Sequence, residues 1–453
     1  MDTARRQIAG EGRGLASGIS KRIALSHPDV LVAGLLLLFA VAFNLVRLYP
    51  EVAIQAPLLN DGVLHRLALE RAVQDPTDPW LAPVVMGYPL YHHYQHLAYL
   101  LPAAVAWPLG GLLGTAKVFD WSRYLLLCLF PLSIYGSMRR FGFGRLPAAL
   151  AGLVACLLAT DGLYGFDLAS YLWRGYGLYT QLWGMVLLPP ALAQGYTALR
   201  TGRGTFWAVL LLAATMLSHL VYGYIAFVSL GLLALLPLLE PRSKEGNRHP
   251  VWPWVRRLAL LLLLVALVTA YFSLPFLMDR AYMNRSVWEE QGKYDAYGHE
   301  WTLGALVRGE LFDFGRFPSL TLLAGVGLVV CFWRWRQERY RVPLVLALAW
   351  LLLYFGRPTW GVLLDLLPLS GDLHLHRLIA GVHLGGIMLM GIGLALPWQW
   401  ALSRESAWRL LATAALSLAL LYPVYRERGL YLEENVRWMA RSREALAAEE
   451  GDI

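Results

Sequence analysis

The sequence predicts an all-α, polytopic membrane fold, and three observations carry that prediction. Of the 453 residues, 57% are hydrophobic and only 15% are charged, and mean hydropathy is +0.48. Soluble domains carry roughly 45–50% apolar and about 25% charged residues. Apolar runs near the length of about 18 residues that a bilayer-crossing helix needs recur along most of the chain. The net charge of +8 is scattered through short segments between those runs, not gathered into the basic face that nucleic acid would require. A soluble multidomain enzyme and a nucleic-acid partner are thereby excluded. So is a membrane β-barrel, whose strands would alternate over about ten residues.

The runs fall at 30–48, 119–138, 146–160, 181–199, 206–220, 222–239, 258–276, 318–334, 343–356, 377–397 and 409–425, about eleven transmembrane helices. The first follows a basic stretch and has no small-residue cleavage site, so it reads as an anchor. Residues 93–113 are apolar enough to cross, but counting them would place Arg139, Arg140 and Arg145 outside. The positive-inside rule decides against it. Segments 1–29, 139–145, 200–205, 240–257, 334–342 and 398–409 then lie inside with a basic excess, and the remainder is net acidic. The expected organisation is a cytoplasmic basic N-terminus (1–29), a transmembrane domain (30–425) whose first outer loop is 49–118, and an extracytoplasmic charged tail (426–453). Cys128, Cys156 and Cys331 all sit in apolar runs and read as buried thiols without zinc or disulfide spacing.

Chemistry is expected on the outer face, where the long loops are. No Walker or dinucleotide motif occurs inside. In the first outer loop, Asn60-Asp61-Gly62 opens a segment, 61–74, that is amphipathic at helical spacing, as a helix lying along the membrane interface would be. Asp61 at its start reads either as a cap, for which Asp is favoured, or as a functional carboxylate at the membrane surface. Asp78-Pro79-Trp80 follows, and then Gly87-Tyr88-Pro89-Leu90-Tyr91-His92-His93-Tyr94-Gln95-His96. Interface aromatics explain the tyrosines better than they explain His92, His93 and His96. His93 and His96 are spaced i, i+3, but no carboxylate or cysteine signature accompanies them for zinc.

These motifs resemble the GT-C superfamily of membrane glycosyltransferases, and most nearly the bacterial polytopic family labelled as related to pyruvoyl-tetrahydropterin synthase. The likeness rests on an acid soon after the first span, an amphipathic helix, a Trp, and Gly-Tyr-Pro-Leu-Tyr-x-x-Tyr entering a helix. It implies two interfacial helices, at about 61–74 and 91–113, and a catalytic carboxylate at Asp61. It implies a donor linked to polyprenyl phosphate and a glycan, lipid or protein acceptor. The location it implies is a bacterial-type plasma membrane, where the charge distribution sets the N-terminus cytoplasmic and the C-terminus extracytoplasmic. Asp61 lacks a paired acid, since its neighbours are Asn60 and Gly62. A divalent metal is therefore compatible with the motif but not required by it, and no other cofactor is implied.

The later outer loops supply further candidates. Either Asp161 or Asp167 is a candidate for the second acid that superfamily members often present after the third span. Arg174, between Trp173 and Tyr176, is placed to meet phosphate or sugar, or else belongs to interface packing. Ser218-His219 lies at the outer end of a span, where an ionisable group usually faces a cavity or bonds a neighbouring helix. Loop 277–317 carries Asp279, Arg280, Glu289, Glu290, His299 and Trp301, which suit either an acceptor or a solvated surface. The sequon Asn284-Arg285-Ser286 is taken as chance. Finally Asp372-Leu373-His374-Leu375-His376-Arg377 precedes a span. Arg377 reads as a snorkelling anchor or as a bidentate phosphate contact, with His374 and His376 beside it. His65, Tyr88 and Tyr91 complete the expected sugar-binding wall. The rival from another class is a lipid or polysaccharide transporter or a non-catalytic subunit; repeats and broken midplane helices would mark a transporter.

Overall fold

The computed structural model describes residues 28–451, apart from 79, 83, 85, 86, 110–112, 240–249, 283–286 and 405. The N-terminal basic segment, most of the expected inside loop 240–257 and the sequon 284–286 lie outside the described residues. Among the described residues the fold is entirely helical, with two isolated β-bridges.

The helices run in this order: α1 (Pro28–Leu48), α2 (Gly62–Gln74), α3 (Leu97–Ala106), α4 (Thr115–Arg140), α5 (Arg145–Ala155), α6 (Tyr179–Thr201), α7 (Thr205–Ser218), α8 (Leu220–Ala234), α9 (Trp252–Val268), α10 (Ala270–Met278), α11 (Gln291–Asp295), α12 (Gly298–Arg308), α13 (Ser319–Trp333), α14 (Glu338–Tyr354), α15 (Ile379–Leu402) and α16 (Ala407–Gly451).

Helix α15 is the axis of the bundle. The apolar window of Leu375–Leu402 is wholly buried, whereas that of Asp29–Ala53 is 17% buried and that of Ala407–Glu449 is 22% buried. Glycines let neighbours approach the axis closely, as in small-residue packing within membranes. A Cβ on Gly391 would lie 2.5 Å from Ala151 Cβ, and one on Gly393 would lie 2.3 Å from the Leu323 carbonyl. The outer helices turn Leu31, Leu38, Leu263, Leu267, Leu411 and Leu418 outward. So large an apolar outer surface suits lipid, not water.

Among the described residues, by length and apolarity alone, three helices are able to cross a membrane, or five if each bent pair counts as one span. The eleven expected crossings exceed that number for physical reasons visible in the chain. The run 146–160 is helical only to Ala155. The runs 206–220 and 222–239 are separated by an extended His219 (φ −159°), not by a polar loop. Two further runs turn sharply: α9 and the segment 270–282 meet at 82°, and α14 and the segment 357–366 meet at 80°. Among the described residues 94–113, the only helix is the ten-residue α3, about 15 Å of helix against a hydrocarbon core of about 30 Å. The four-residue helix Leu90–His93 is separated from it by an extended Tyr94. Helix α16 continues unbroken across residues 425–426.

Helices α4, α6 and α15 give the bundle two distinct ends. At one, the basic connections meet: Arg140 bonds Gln194, Arg200 pairs with Glu338 at 3.0 Å, and Arg339 donates to the Gly142 carbonyl. At the other lie α2, the start of α6 and residues 374–378. Helix α6, with 23 residues, separates the ends by about 35 Å.

Candidate functional site

Asp61 stands at the start of α2, and two loops fix its backbone. Asn60 holds a left-handed conformation (φ +50°) that Asn tolerates better than most residues, and its side chain donates to the Gly175 carbonyl at 2.7 Å. Gly177 (φ +71°) approaches so closely that a Cβ there would lie 2.3 Å from the Gly62 nitrogen. The loop after α5 therefore clamps the Asp61 turn. The Asp61 carboxylate makes no capping hydrogen bond to its own helix and remains exposed. Partial desolvation raises its pKa, opposed by the positive charges of Arg377 and Lys293. Both cations thus act electrostatically on the same carboxylate.

Arg377 is held by neutral groups. Its Nη1 donates to Gln181 Oε1 at 3.0 Å and lies 3.4 Å from His219 Nε2, and its guanidinium sits 5.5 Å from the centre of the Tyr164 ring. Two N–H donors would repel at that separation, so His219 Nε2 acts as the acceptor. Arg377 Nε, His219 Nδ1 and His376 Nε2 are buried atoms without a protein partner. Two of them are donors, Arg377 Nε and His219 Nδ1, and His376 Nε2 is an acceptor because its Nδ1 donates to the Lys293 carbonyl. Buried polar atoms left unpaired are costly, and three on adjacent groups mark a place built for a polar ligand. Among the described residues Arg377 forms no ion pair. By contrast Arg66, Arg71, Arg123, Arg174, Arg280 and Arg316 each pair with a carboxylate.

Tyr164, Gln181 and Lys293 were not singled out from sequence. Tyr164 adopts φ +57°, an outlier for a bulky side chain, with its carbonyl accepting a 2.7 Å bond from Gln181 Nε2. Such strain persists where surrounding structure enforces it. Lys293 on α11 lies 5.9 Å from the same ring, and its carbonyl bonds His376 Nδ1 at 2.7 Å. His374 lies 3.3 Å from Glu289. The only sequence signal for this trio was the loop composition around Trp173–Tyr179 and Glu289–Asp295.

Several expected site residues are placed elsewhere. Arg174 turns to α16, pairing with Glu434 at 2.8 Å and covering Tyr431. Asp167 is 1% exposed and bonds the Gly165 nitrogen and Ser170 hydroxyl within its own loop; burial raises its pKa. His65 packs among Tyr94, Tyr99 and Tyr179 and bonds Tyr99 at 2.6 Å, and burial lowers its pKa to about 4. His93 meets Asp279 at 2.6 Å and His96 meets the Tyr271 hydroxyl at 2.7 Å, so both fasten the first loop to the bent α9–α10 segment. His92 is exposed, and Tyr88 and Tyr91 are half-buried beside the small core formed by α2 and α3. Asp161 is exposed near Tyr176, on the rim of the same loop. No group of three potential metal ligands occurs among the described residues.

A small apolar groove of about 140 Å³, lined by Met216, Leu220, Tyr224, Phe276 and Leu373, runs up to the Arg280–Asp372 pair beside this site. A larger one of about 530 Å³ lies off it, between α3, α4 and α6.

Known structures share this architecture. The oligosaccharyltransferase AglB of Archaeoglobus fulgidus superposes with a TM-score of 0.56 at 12% identity, over 92% of this chain and 56% of that one. ArnT of Cupriavidus metallidurans, solved with undecaprenyl phosphate, superposes with a TM-score of 0.50 at 16% identity, over 92% of this chain and 79% of that one. The chain shares the helical fold of these two proteins. It spans little more than half the length of the oligosaccharyltransferase. No family model and no curated protein sequence matches it.

Proposed function

We propose that this protein is an inverting glycosyltransferase that moves a sugar from a polyprenyl-phosphate-linked donor to an acceptor on the extracytoplasmic face. The observation that carries the reading is that Asp61, whose backbone packs against Gly177, and Arg377, bonded to Gln181, both meet the start of α6 at a single end of the bundle, with Arg377 held only by neutral partners among the described residues. An unpaired guanidinium is free to bind phosphate through two parallel hydrogen bonds. The site lies at the end opposite the basic connections, which the positive-inside rule puts outside the cell; lipid-linked donors suit that side. The neighbouring structures were solved with dolichol phosphate and with undecaprenyl phosphate, which supports the donor class. The chain is read as spanning about eleven times, with α2 and α3 in the outer interface, and as a member of the bacterial polytopic family named above.

In this reading Asp61 takes the acceptor hydroxyl's proton while the acceptor oxygen attacks the anomeric carbon. The bond from that carbon to phosphate breaks, and its electron pair passes to the phosphate oxygen, facing Arg377. The test is transfer from short-chain polyprenyl-phosphate sugars by the protein in lipid nanodiscs. Arg377→Lys should lose most of the rate with folding intact, because an ammonium cannot reproduce the guanidinium fork. Unchanged turnover would reduce Arg377 to an anchor, and an inactive wild type that still binds donor would favour a non-catalytic subunit.

A further inference from the structure

Lys293 and Arg377 lie on different elements, α11 and the turn before α15, yet both approach the Tyr164 ring, at 5.9 and 5.5 Å. Their elements are tied together directly, since His376, one residue before Arg377, bonds the Lys293 carbonyl at 2.7 Å. Among the described residues the Lys293 ammonium has only a loose ionic partner, Glu289 at 3.9 Å, and Glu289 is shared with His374. Lys293 is half-buried, so its charge is neither fully neutralised nor fully hydrated. Both cations also act electrostatically on the Asp61 carboxylate.

The charges on the proposed donor change during the reaction. A sugar linked through phosphate to a polyprenol is a phosphodiester with one negative charge. When the bond to the sugar breaks, the electron pair remains on phosphate, the acceptor's proton passes to Asp61, and the departing polyprenyl phosphate is a monoester. A phosphate monoester carries about 1.5 to 2 negative charges at neutral pH because its second pKa is about 6. One guanidinium matches the donor; two cations match the leaving group. Interactions that strengthen only as charge develops are the ones that accelerate a reaction.

We propose that Lys293 is a second phosphate contact, a catalytic residue that binds the charge gained by the departing polyprenyl phosphate, while Arg377 binds the charge already on the donor. This rests on the reading of the site as a lipid-phosphate sugar transferase. It specifies that the site holds the monoester more tightly than the diester. Tyr164, held by its strained backbone and by Gln181, sets the spacing of the two cations. Glu289 holds Lys293 when no phosphate is bound.

The probes are farnesyl phosphate, a monoester, and its methyl ester, a diester, titrated into the full-length protein in nanodiscs at pH 7.5 and pH 5. Wild type should prefer the monoester at pH 7.5 and lose that preference at pH 5, where the second ionisation is suppressed. Lys293→Gln should weaken monoester binding by about tenfold or more and leave the diester within about twofold, as expected for loss of one charge-assisted contact. Lys293→Arg should restore the preference, and Glu289→Gln should strengthen monoester binding. Equal loss of both ligands in Lys293→Gln, or no loss of either, overturns the assignment of Lys293 while leaving the phosphate site standing. A wild type that binds neither ligand overturns the phosphate reading itself.

Discussion

Gln181 accepts a 3.0 Å hydrogen bond from Arg377, and it does so as an amide whose own NH2 group is committed to the Tyr164 carbonyl at 2.7 Å and the Tyr171 hydroxyl at 2.9 Å. Those two bonds fix which way the amide faces, so its oxygen is aimed at the guanidinium. The arrangement orients Arg377 without cancelling its charge. Gln181→Glu would reverse that by adding a carboxylate at the same distance and deleting the donors to Tyr164 and Tyr171. We expect lipid-phosphate binding, measured by calorimetry, to weaken by about tenfold to a hundredfold, or ~1.4–2.8 kcal/mol. Undiminished binding would mean that Arg377 does not meet the phosphate.

The two ends of this site differ in how much the sequence discloses. Sequence singles out Arg377 because a charge beside an apolar run is costly and calls for a reason, and Asp61 because it opens an amphipathic segment within the stretch that carries the family resemblance. It does not single out Tyr164, Gln181 and Lys293, because their significance lies in contacts between segments far apart in the chain: Gln181 meets Arg377 196 positions away. Arg174 misled for the complementary reason. Its aromatic neighbours suggested a ligand, but its partner, Glu434, lies in a tail that composition marks only as charged. Apolar periodicity located the helices, yet it carries no record of the 82° and 80° bends that bring α10 and residues 357–366 around the site.

The tail contributes to stability through Glu51. This buried carboxylate pairs with Arg123 at 3.1 Å, accepts from the Trp173 nitrogen at 3.1 Å and receives the Asn435 amide at 2.6 Å. It joins the end of α1, the loop that clamps Asp61, and α16. Removing one member of a buried ion pair leaves the other uncompensated, at a cost of about 3–5 kcal/mol. Glu51→Ala should therefore lower the thermal midpoint sharply in detergent. Asn435→Ala should lower it less, because it removes a neutral partner. A midpoint unchanged in both would show that the tail is not fastened through this network.

Orientation is tested independently of chemistry. A reporter fused at Gly142, in the turn between α4 and α5 at the basic end, should read as cytoplasmic. One at Gly298, whose nitrogen bonds the Phe355 carbonyl near the bend after α14, should read as extracytoplasmic. Inverted signals would place Asp61 inside, where a lipid-linked outer-leaflet donor is inaccessible.

The pH dependence follows from the surroundings of Asp61. Desolvation raises its pKa and the Arg377 and Lys293 charges oppose the rise. A general base works deprotonated, so kcat/KM should fall on the acid side with a midpoint above the usual aspartate value of about 3.9. Lys293→Gln removes one of the opposing charges, and the acid limb should move to higher pH. A limb that stays in place, or moves down, would mean that the titrating group is not Asp61.

Substitution of Asp61 by Asn separates its two sequence-level readings. A cap would tolerate the change, since Asn caps helices as well as Asp does, and the Asp61 side chain makes no capping bond in any case. The backbone of the turn, held by Asn60, Gly175 and Gly177, does not depend on the carboxylate, so folding and donor binding should stay near wild type. The amide, however, cannot take the acceptor's proton. Loss of a general base costs about a hundredfold to ten-thousandfold in rate. Sugar transfer by Asp61→Asn should fall by at least the lower of these, with donor affinity retained. Near-normal transfer would remove Asp61 as the base and turn attention to Asp161, the exposed acid of the clamping loop; Asp167, enclosed by its own hydrogen bonds, is not placed to take that role.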